Sequence, residues 1–140
     1  MMQSTENPTK RRDAMSYISG FLVPVPNDRK EDYRKMAAEA ADMFREYGAI
    51  EMMEAWGEDV REGKVTDFRR AVQAREDETV VFSWIVWPDR ATADAAEKRM
   101  ETDERMKPPA NAPMDGKRMV YGNFAPIFEM GREGGGQGNR

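Results

Sequence analysis

The stretch that decides the fold is Thr79–Trp87, which reads Thr-Val-Val-Phe-Ser-Trp-Ile-Val-Trp and is apolar at almost every position. Successive side chains of a strand point to opposite faces of a sheet, so this strand is apolar on both faces and needs cover on both. Helices of the same chain can cover one face. The simplest cover for the other is the same face of a second copy. The stretch therefore predicts a homodimer in which two sheets pack face to face.

Three more strands and two helices are predicted around this stretch. The four strands are predicted at Ser16–Val25, Ile50–Trp56, Thr79–Trp87 and Lys117–Phe128. The first helix is predicted to begin at Asp28, which forms a capping-box-like pair with Glu31, and to end at Gly48. Asp89 is predicted to cap the second helix. The order β-α-β-β-α-β is typical of an α+β, ferredoxin-like fold, whose antiparallel sheet carries both helices on one face.

The chain is predicted to contain one folded domain between two tails. Residues 1–14 are polar and lack periodicity, which predicts a disordered N-terminal arm. The domain is predicted over residues 15–129, followed by a flexible Gly-rich tail over residues 130–140. Within the domain, Val65–Ala74 is ambiguous and is interpreted as a strand extension or an ordered loop.

The composition excludes several classes of chemistry. The 140 residues include no Cys and no His, which excludes thiolate nucleophiles, imidazole metal ligands and Ser-His-Asp catalysis. The formal charge of −4 argues against a nucleic-acid partner. No segment is apolar over the length that crosses a bilayer, so a cytoplasmic protein without a membrane partner is predicted. No cofactor is expected.

The chain resembles the YbaA-like family of small bacterial proteins over roughly Met15 to Phe128. The segments that carry the resemblance are SYISGFLVPVP at 16–26, GKVTDFRRAV at 63–72, ETVVFSWIVWP at 78–88, DERMK at 103–107 and MDGKRMVYGNF at 114–124. The resemblance implies the dimeric α/β-barrel superfamily, in which two ferredoxin-like sheets face each other. That superfamily includes cofactor-independent monooxygenases, isomerase-like proteins and ligand-binding modules, so the resemblance implies no particular reaction. Its haem-using members need an axial His, which this chain lacks.

Asp67 and Arg69 form the first candidate site. In an extended segment they lie on the same side, near Lys64 and Thr66, where they are suited to bind a carboxylate or to orient a proton acceptor. Asp67 is the candidate catalytic base of this cluster, and Arg69 is the candidate ligand-binding residue. The alternative is a structural ion pair that fixes the loop across the dimer interface.

A second candidate site is an aromatic cavity near the sheet interface. Its predicted ligand-binding residues are Trp56, Trp84, Tyr121 and Asn123. The alternative is that these aromatic side chains fill the core, because the near-continuous apolar runs do not settle which face of each strand carries the helices.

Acidic and sulfur-containing side chains supply the remaining candidates. Glu54 is a candidate catalytic base if it shares the interior face with Trp56, and a solvated edge position is the alternative. Glu51 is three residues from Glu54 and therefore faces the opposite way, so the two are not an acid–base pair. The twelve methionines are a candidate adaptable ligand surface, although core filling accounts for most of them. No metal site is predicted, because the acidic run at residues 58–62 lacks the pattern of a metal-binding loop.

Three functions follow from these observations. The first is binding of a small, partly apolar molecule in a cavity near the sheet interface of a homodimer. The second is cofactor-independent oxygenase or isomerase chemistry in the same cavity. The third is a protein-interaction module that presents its acidic helices and its tails to a partner.

Overall fold

The computed structural model describes residues 16–131, in which four strands and three helices alternate. The predicted arm of residues 1–14 lies outside the described residues, as do residues 132–140 of the predicted tail. The elements are β1 (Tyr17–Pro26), α1 (Lys30–Glu46), β2 (Glu51–Trp56), α2 (Phe68–Ala71), β3 (Glu78–Trp87), α3 (Arg90–Thr102) and β4 (Val120–Phe124). None of the helices between residues 16 and 131 has the length and apolar character needed to cross a bilayer.

The strands form one antiparallel sheet in the order β2-β3-β1-β4. β3 contains the apolar stretch and lies inside the sheet, where it pairs with all ten residues of β1 from Tyr17 opposite Trp87 to Pro26 opposite Glu78. This order is compatible with the predicted ferredoxin-like fold, and the α+β class is confirmed.

One face of the sheet, the helix side, carries the core. Two buried clusters lie there, namely Val23, Val25, Tyr33, Ala37 and Val81, and Tyr47, Ile85, Trp87, Ala93 and Ala96. The buried alanines of α1 and α3 have small side chains, which lets both helices approach the strands closely. The helix side therefore holds the odd-numbered residues of β1, β3 and β4 and the even-numbered residues of β2.

The opposite face, the open side, is apolar and largely uncovered, except at the end where Pro24 and Val80 are buried. It consists of Ile18, Leu22, Met53, Phe82, Trp84, Val86, Val120 and Phe124, together with the short residues between them. Phe82 remains 46% exposed and Phe124 60% exposed. α2 approaches this face, where the ring centroid of Phe68 lies 6.1 Å from that of Phe82.

Two local predictions are wrong at their boundaries. Asp28 does not cap α1, because it lies in a 3-10 turn over Asn27–Arg29 and no side chain caps the helix. The last strand is shorter than predicted, since the Asp115 carboxylate accepts from the backbone of Lys117 and folds Gly116–Arg118 into another 3-10 turn.

One predicted helix start is confirmed, and the ambiguous segment before β3 departs from one of its two interpretations. The Asp89 carboxylate accepts a hydrogen bond of 2.7 Å from the backbone N–H of Thr92, which confirms the predicted cap of α3. The segment Val65–Ala74 contains α2 and forms no strand, so the prediction of a strand extension is wrong.

Gly48 joins α1 to β2 in a conformation that glycine alone adopts easily. Its φ is +111°, and a Cβ added there would lie 2.6 Å from Cγ2 of Thr92 on α3. We expect Gly48→Ala to lower the free energy of unfolding by about 1–2 kcal/mol or more, because left-handed backbone strain adds to this clash. Chemical denaturation measures the change. Gly116→Ala, where a Cβ meets nothing within 4 Å, is the matched control, and an equal loss in both variants would contradict the prediction.

Candidate functional site

A cavity of about 550 Å³ lies between the helix side of the sheet, α1 and an irregular segment over residues 105–119. This segment, called the strap below, crosses from the end of α3 toward β4. Six methionines line the cavity: Met36, Met43, Met52, Met106, Met114 and Met119. Phe21 and Phe44 add aromatic walls. Thioether side chains are flexible and polarisable, so these walls suit an apolar molecule of variable shape.

Glu54 places a carboxyl group among these apolar walls. It lies on the helix side of β2, where the hydroxyl of Tyr33 on α1 donates a 2.7 Å hydrogen bond to its Oε1 atom. Burial raises the pKa of Glu54, although hydrogen bonds from Tyr33 and Ser83 oppose the rise. Burial, with the nearby carboxylate, also raises the pKa of Tyr33 far above its ordinary value. The result is a carboxyl that takes up a proton more readily than an exposed one, beside a phenol that stays neutral.

The strap is held in place by arginines at both ends and in the middle. At its start, the Arg105 guanidinium donates to Asp103 at 2.6 Å and to Glu46 at 3.2 Å. In the middle, Arg29 donates to the carbonyl oxygen of Asn111 at 2.8 Å. At its end, Arg118 forms a paired contact with the buried carboxylate of Glu78, at 2.8 and 2.7 Å. These contacts fix an otherwise irregular segment as one wall of the cavity.

The predicted aromatic residues do not share this cavity. Trp84 lies on the open side, where its Nε1 donates to Glu51 at 3.2 Å. Trp56 lies on the helix side at the end of β2, and the Lys30 Nζ is 5.1 Å from its ring centroid. Tyr121 stacks on Phe21 with centroids 5.2 Å apart. Because Trp84 faces away from Trp56 and Tyr121, these rings do not form one pocket.

Asn123 lies beside Tyr121 in a small polar chain. Trp87 Nε1 donates to the Ser19 hydroxyl at 3.0 Å, and that hydroxyl donates to Asn123 Oδ1 at 2.7 Å. The side-chain carbonyl oxygen of Asn123 therefore accepts a hydrogen bond from Ser19 and is not directed at the cavity.

Asp67 and Arg69 brace a loop and lie outside the cavity lining. The Asp67 carboxylate accepts from the backbone N–H groups of Arg70 at 2.7 Å and Gly63 at 3.1 Å, and these bonds hold its pKa below the usual range. Arg69 donates to the carbonyl oxygens of Glu78 and Arg75 at 2.9 and 2.7 Å. Since α2 begins directly after Asp67, the extended arrangement that would align the two side chains does not form.

Of the seven predicted site residues, Glu54 is the one that lines the cavity. Tyr33 and the strap were not identified as parts of a site from the sequence. A tyrosine within the apolar stripe of α1 was the available signal, because a buried phenol needs a hydrogen-bond partner. Between residues 16 and 131, no group of three or more Asp or Glu side chains is arranged to hold a metal ion.

Comparison with known proteins places the chain in a family. The model of the family described as "Protein of unknown function (DUF1428)" matches residues 16–116. The chain is 53% identical over 116 residues to "Uncharacterized protein YbaA" of Escherichia coli strain K12, an alignment that covers 82% of this chain and 99% of that protein. The YbaA proteins of Escherichia coli O157:H7 and Shigella flexneri match with the same identity and coverage. The resemblance to the YbaA-like family is confirmed, and the chain belongs to the DUF1428 family.

Proposed function

We propose that this protein binds a small, largely apolar molecule in the cavity between the sheet, α1 and the strap. The observation that carries the proposal is a cavity of about 550 Å³ with methionine walls and one partly buried carboxyl group. Its volume lies within the range of roughly 300–1,000 Å³ that is usual for ligand sites. The proposed site lies on the helix side, whereas the sequence predicts one near the interface between the two sheets.

Binding is the step that the geometry supports best. The walls offer apolar surface, which drives association with an apolar molecule, while Glu54 supplies one polar contact to orient it. The oxygenase and isomerase alternatives place a reacting atom beside the same carboxyl, so each requires this binding step first.

The cavity is tested by filling it from α1. Ala40 lines the cavity, whereas Ala38 on the same helix is exposed. We expect Ala40→Phe to weaken binding of 1-hexanol by about tenfold or more, because the ring occupies the space of the ligand. Titration followed by the NMR signals of ¹³C-methyl methionines measures the affinity, with Met36 and Met43 reporting from inside the cavity.

The matched control is Ala38→Phe, which adds the same ring on the solvent side of α1. It should bind 1-hexanol as the wild type does. Equal binding by Ala40→Phe and the wild type would contradict the proposed site, and so would a wild-type protein whose cavity methionines do not respond to 1-hexanol.

We also propose that the open side closes against a second copy, which forms the homodimeric α/β barrel expected from the sequence. The support is the row of exposed apolar side chains on β3 and its neighbours, with Met53 and Val120 still 44% and 43% exposed. A contiguous apolar patch of this kind on a sheet face is typical of an interface. Because a two-fold axis brings the same patch of both copies together, one apolar face is sufficient to cover itself.

A further inference from the structure

Glu54 is a partly buried carboxyl without a positively charged partner among the described residues. Its hydrogen-bond partners are the neutral hydroxyls of Tyr33 and Ser83. Within residues 16–131, no Lys or Arg nitrogen lies within 4.0 Å of its carboxylate oxygens. Carboxylates are rarely buried unless they are paired, because removing the charge from water is costly. When Glu54 is ionised, the cavity therefore contains a negative charge that no basic residue among the described residues neutralises. Otherwise Glu54 must carry a proton.

The basic residues of the cavity wall do not supply the missing charge. Arg105 is engaged by Asp103 and Glu46, and Lys107 Nζ lies 3.4 Å from Glu104. Glu39 adds another carboxylate to the lining from α1. The wall thus presents two basic residues that are already paired with carboxylates outside the lining, and two acidic residues of its own, which favours a cationic ligand over an anionic one.

We infer that the ligand is an organic amine, whose apolar body packs against the methionines and whose ammonium group pairs with Glu54. This inference rests on the proposed function, since it assumes that the cavity binds a small molecule. The Tyr33 hydroxyl occupies a lone pair of Oε1 and holds the carboxylate in place, so the remaining lone pairs can accept from an ammonium N–H. Thioether sulfurs and the rings of Phe21 and Phe44 are polarisable walls compatible with a nearby cation.

Binding of an amine should depend on pH through Glu54. The groups that face it are Tyr33 from α1 and Ser83 from β3, and the wider wall adds Glu39 from α1 and Arg105 and Lys107 from the strap. Tyr33 stays neutral because its pKa is raised. Burial raises the pKa of Glu54, so the empty cavity retains the proton to a higher pH than an exposed carboxyl does. The affinity for an ammonium should therefore rise as the pH increases through the pKa of Glu54, and the affinity for an alcohol should not.

The test compares hexylamine with 1-hexanol, which have the same apolar chain and differ in charge. Both are titrated into the full-length protein and followed by the ¹³C-methyl signals of the cavity methionines. In the wild type we expect hexylamine to bind at least about tenfold more tightly than 1-hexanol, because charge-assisted hydrogen bonds are the stronger kind. In Glu54→Gln, which keeps the shape and an acceptor for Tyr33, this preference should disappear, so that the two probes bind with about equal affinities.

Glu51→Gln is the matched control, because it removes the same charge from the same strand on the open side. It should keep the preference for hexylamine. An equal preference in the wild type and in Glu54→Gln would overturn the amine inference, as would equal affinities of the two probes in the wild type. Both results leave the cavity itself supported. Failure of both probes to shift the cavity methionines would overturn the proposed function together with the inference.

A second measurement does not depend on a variant. Calorimetric titration of the wild type with hexylamine, in two buffers of different ionisation enthalpy and at a pH near the pKa of Glu54, should show release of a fraction of a proton on binding. Zero proton release at every pH from 4.5, the ordinary pKa of a glutamate, upward to neutral pH would also overturn the inference.

Discussion

Phe82→Glu is expected to convert the proposed dimer to a monomer at micromolar concentration. Phe82 lies in the middle of the open side on β3, between Leu22 of β1 and Ala55 of β2. It also contacts the rings of Phe68 and Trp84, with centroids 6.1 and 5.4 Å away. The substitution removes an apolar ring from the centre of the interface and buries an unpaired carboxylate in its place. This costs about 2 kcal/mol or more of association free energy in each copy. In a two-fold dimer the cost occurs twice, and the association constant should fall by roughly 1,000-fold.

Sedimentation velocity over a concentration series measures this change. The matched control is Ile50→Glu, because Ile50 is an exposed apolar residue, 65% accessible, one position before β2 on the helix side. Ile50→Glu should remain a dimer. Since Phe82 is already 46% exposed in the single chain, both variants should keep the far-ultraviolet circular dichroism of the wild type. A wild-type protein that sediments as a monomer would contradict the proposed dimer, and so would a dimer that Phe82→Glu leaves intact.

The prediction of the sheet succeeded because it depended on local patterns. The near-continuous apolar run along Thr79–Trp87 and the stop signal at Pro88 are properties of neighbouring residues, and they marked β3 almost to the residue. Local patterns do not determine which face of that strand meets the helices. Trp84 and Trp87 are both large and apolar, yet Trp84 lies on the open side and Trp87 is buried against the helices. The register with β1 and the small residues of α3 decide this, and neither is a property of the strand.

The candidate site could be predicted only in part, because strand alternation is a local pattern and the packing of a helix is not. Glu54 could be found because strand alternation ties it to the face of Trp56, and the face of Trp56 proved to be the helix side. The partner of Glu54 could not be found, because Tyr33 lies 21 residues away on a helix whose rotation depends on packing. The strap has no periodicity at all. Its position depends on long-range contacts such as Arg118 with Glu78, 40 residues apart.

The contact between Arg118 and Glu78 is the basis of the second large effect. The side chains are 13% and 5% exposed, and two hydrogen bonds of 2.8 and 2.7 Å join them. Arg118 also donates to Asp115 at 2.8 Å and to the carbonyl oxygen of Gln73 at 2.8 Å, so it ties the strap to the beginning of β3. In Arg118→Met, Glu78 keeps only the exposed Arg75, 3.7 Å away, as a charged partner. A buried carboxylate that loses its partner typically costs about 3–5 kcal/mol, and we expect a loss of unfolding free energy of that size at pH 7.

The loss should shrink in acid, because it depends on the charge of Glu78. The hydrogen bonds from Arg118 lower the pKa of Glu78 from 4.5 to about 2, although burial opposes the shift. The lowered pKa stabilises the wild type fully above pH 4.5, and this contribution is lost as the pH falls toward 2. Arg118→Met lacks it at every pH, so its deficit should narrow between pH 5 and pH 2.5. Urea denaturation across this range measures both curves.

Two further variants separate the charge of Glu78 from the packing of Arg118. Lys117→Met removes a positive charge from the exposed neighbour and should change the unfolding free energy by no more than about 0.5 kcal/mol. The double variant Glu78→Gln with Arg118→Met removes the unpaired charge of Glu78. It should recover a large part of the lost unfolding free energy, because a neutral amide is less costly to bury than a carboxylate. If Arg118→Met were as stable as Lys117→Met, or if its deficit were the same at pH 7 and pH 2.5, then Glu78 would not depend on Arg118 for its charge. In that case the strap would be held by its contacts at Arg29 and Arg105 alone.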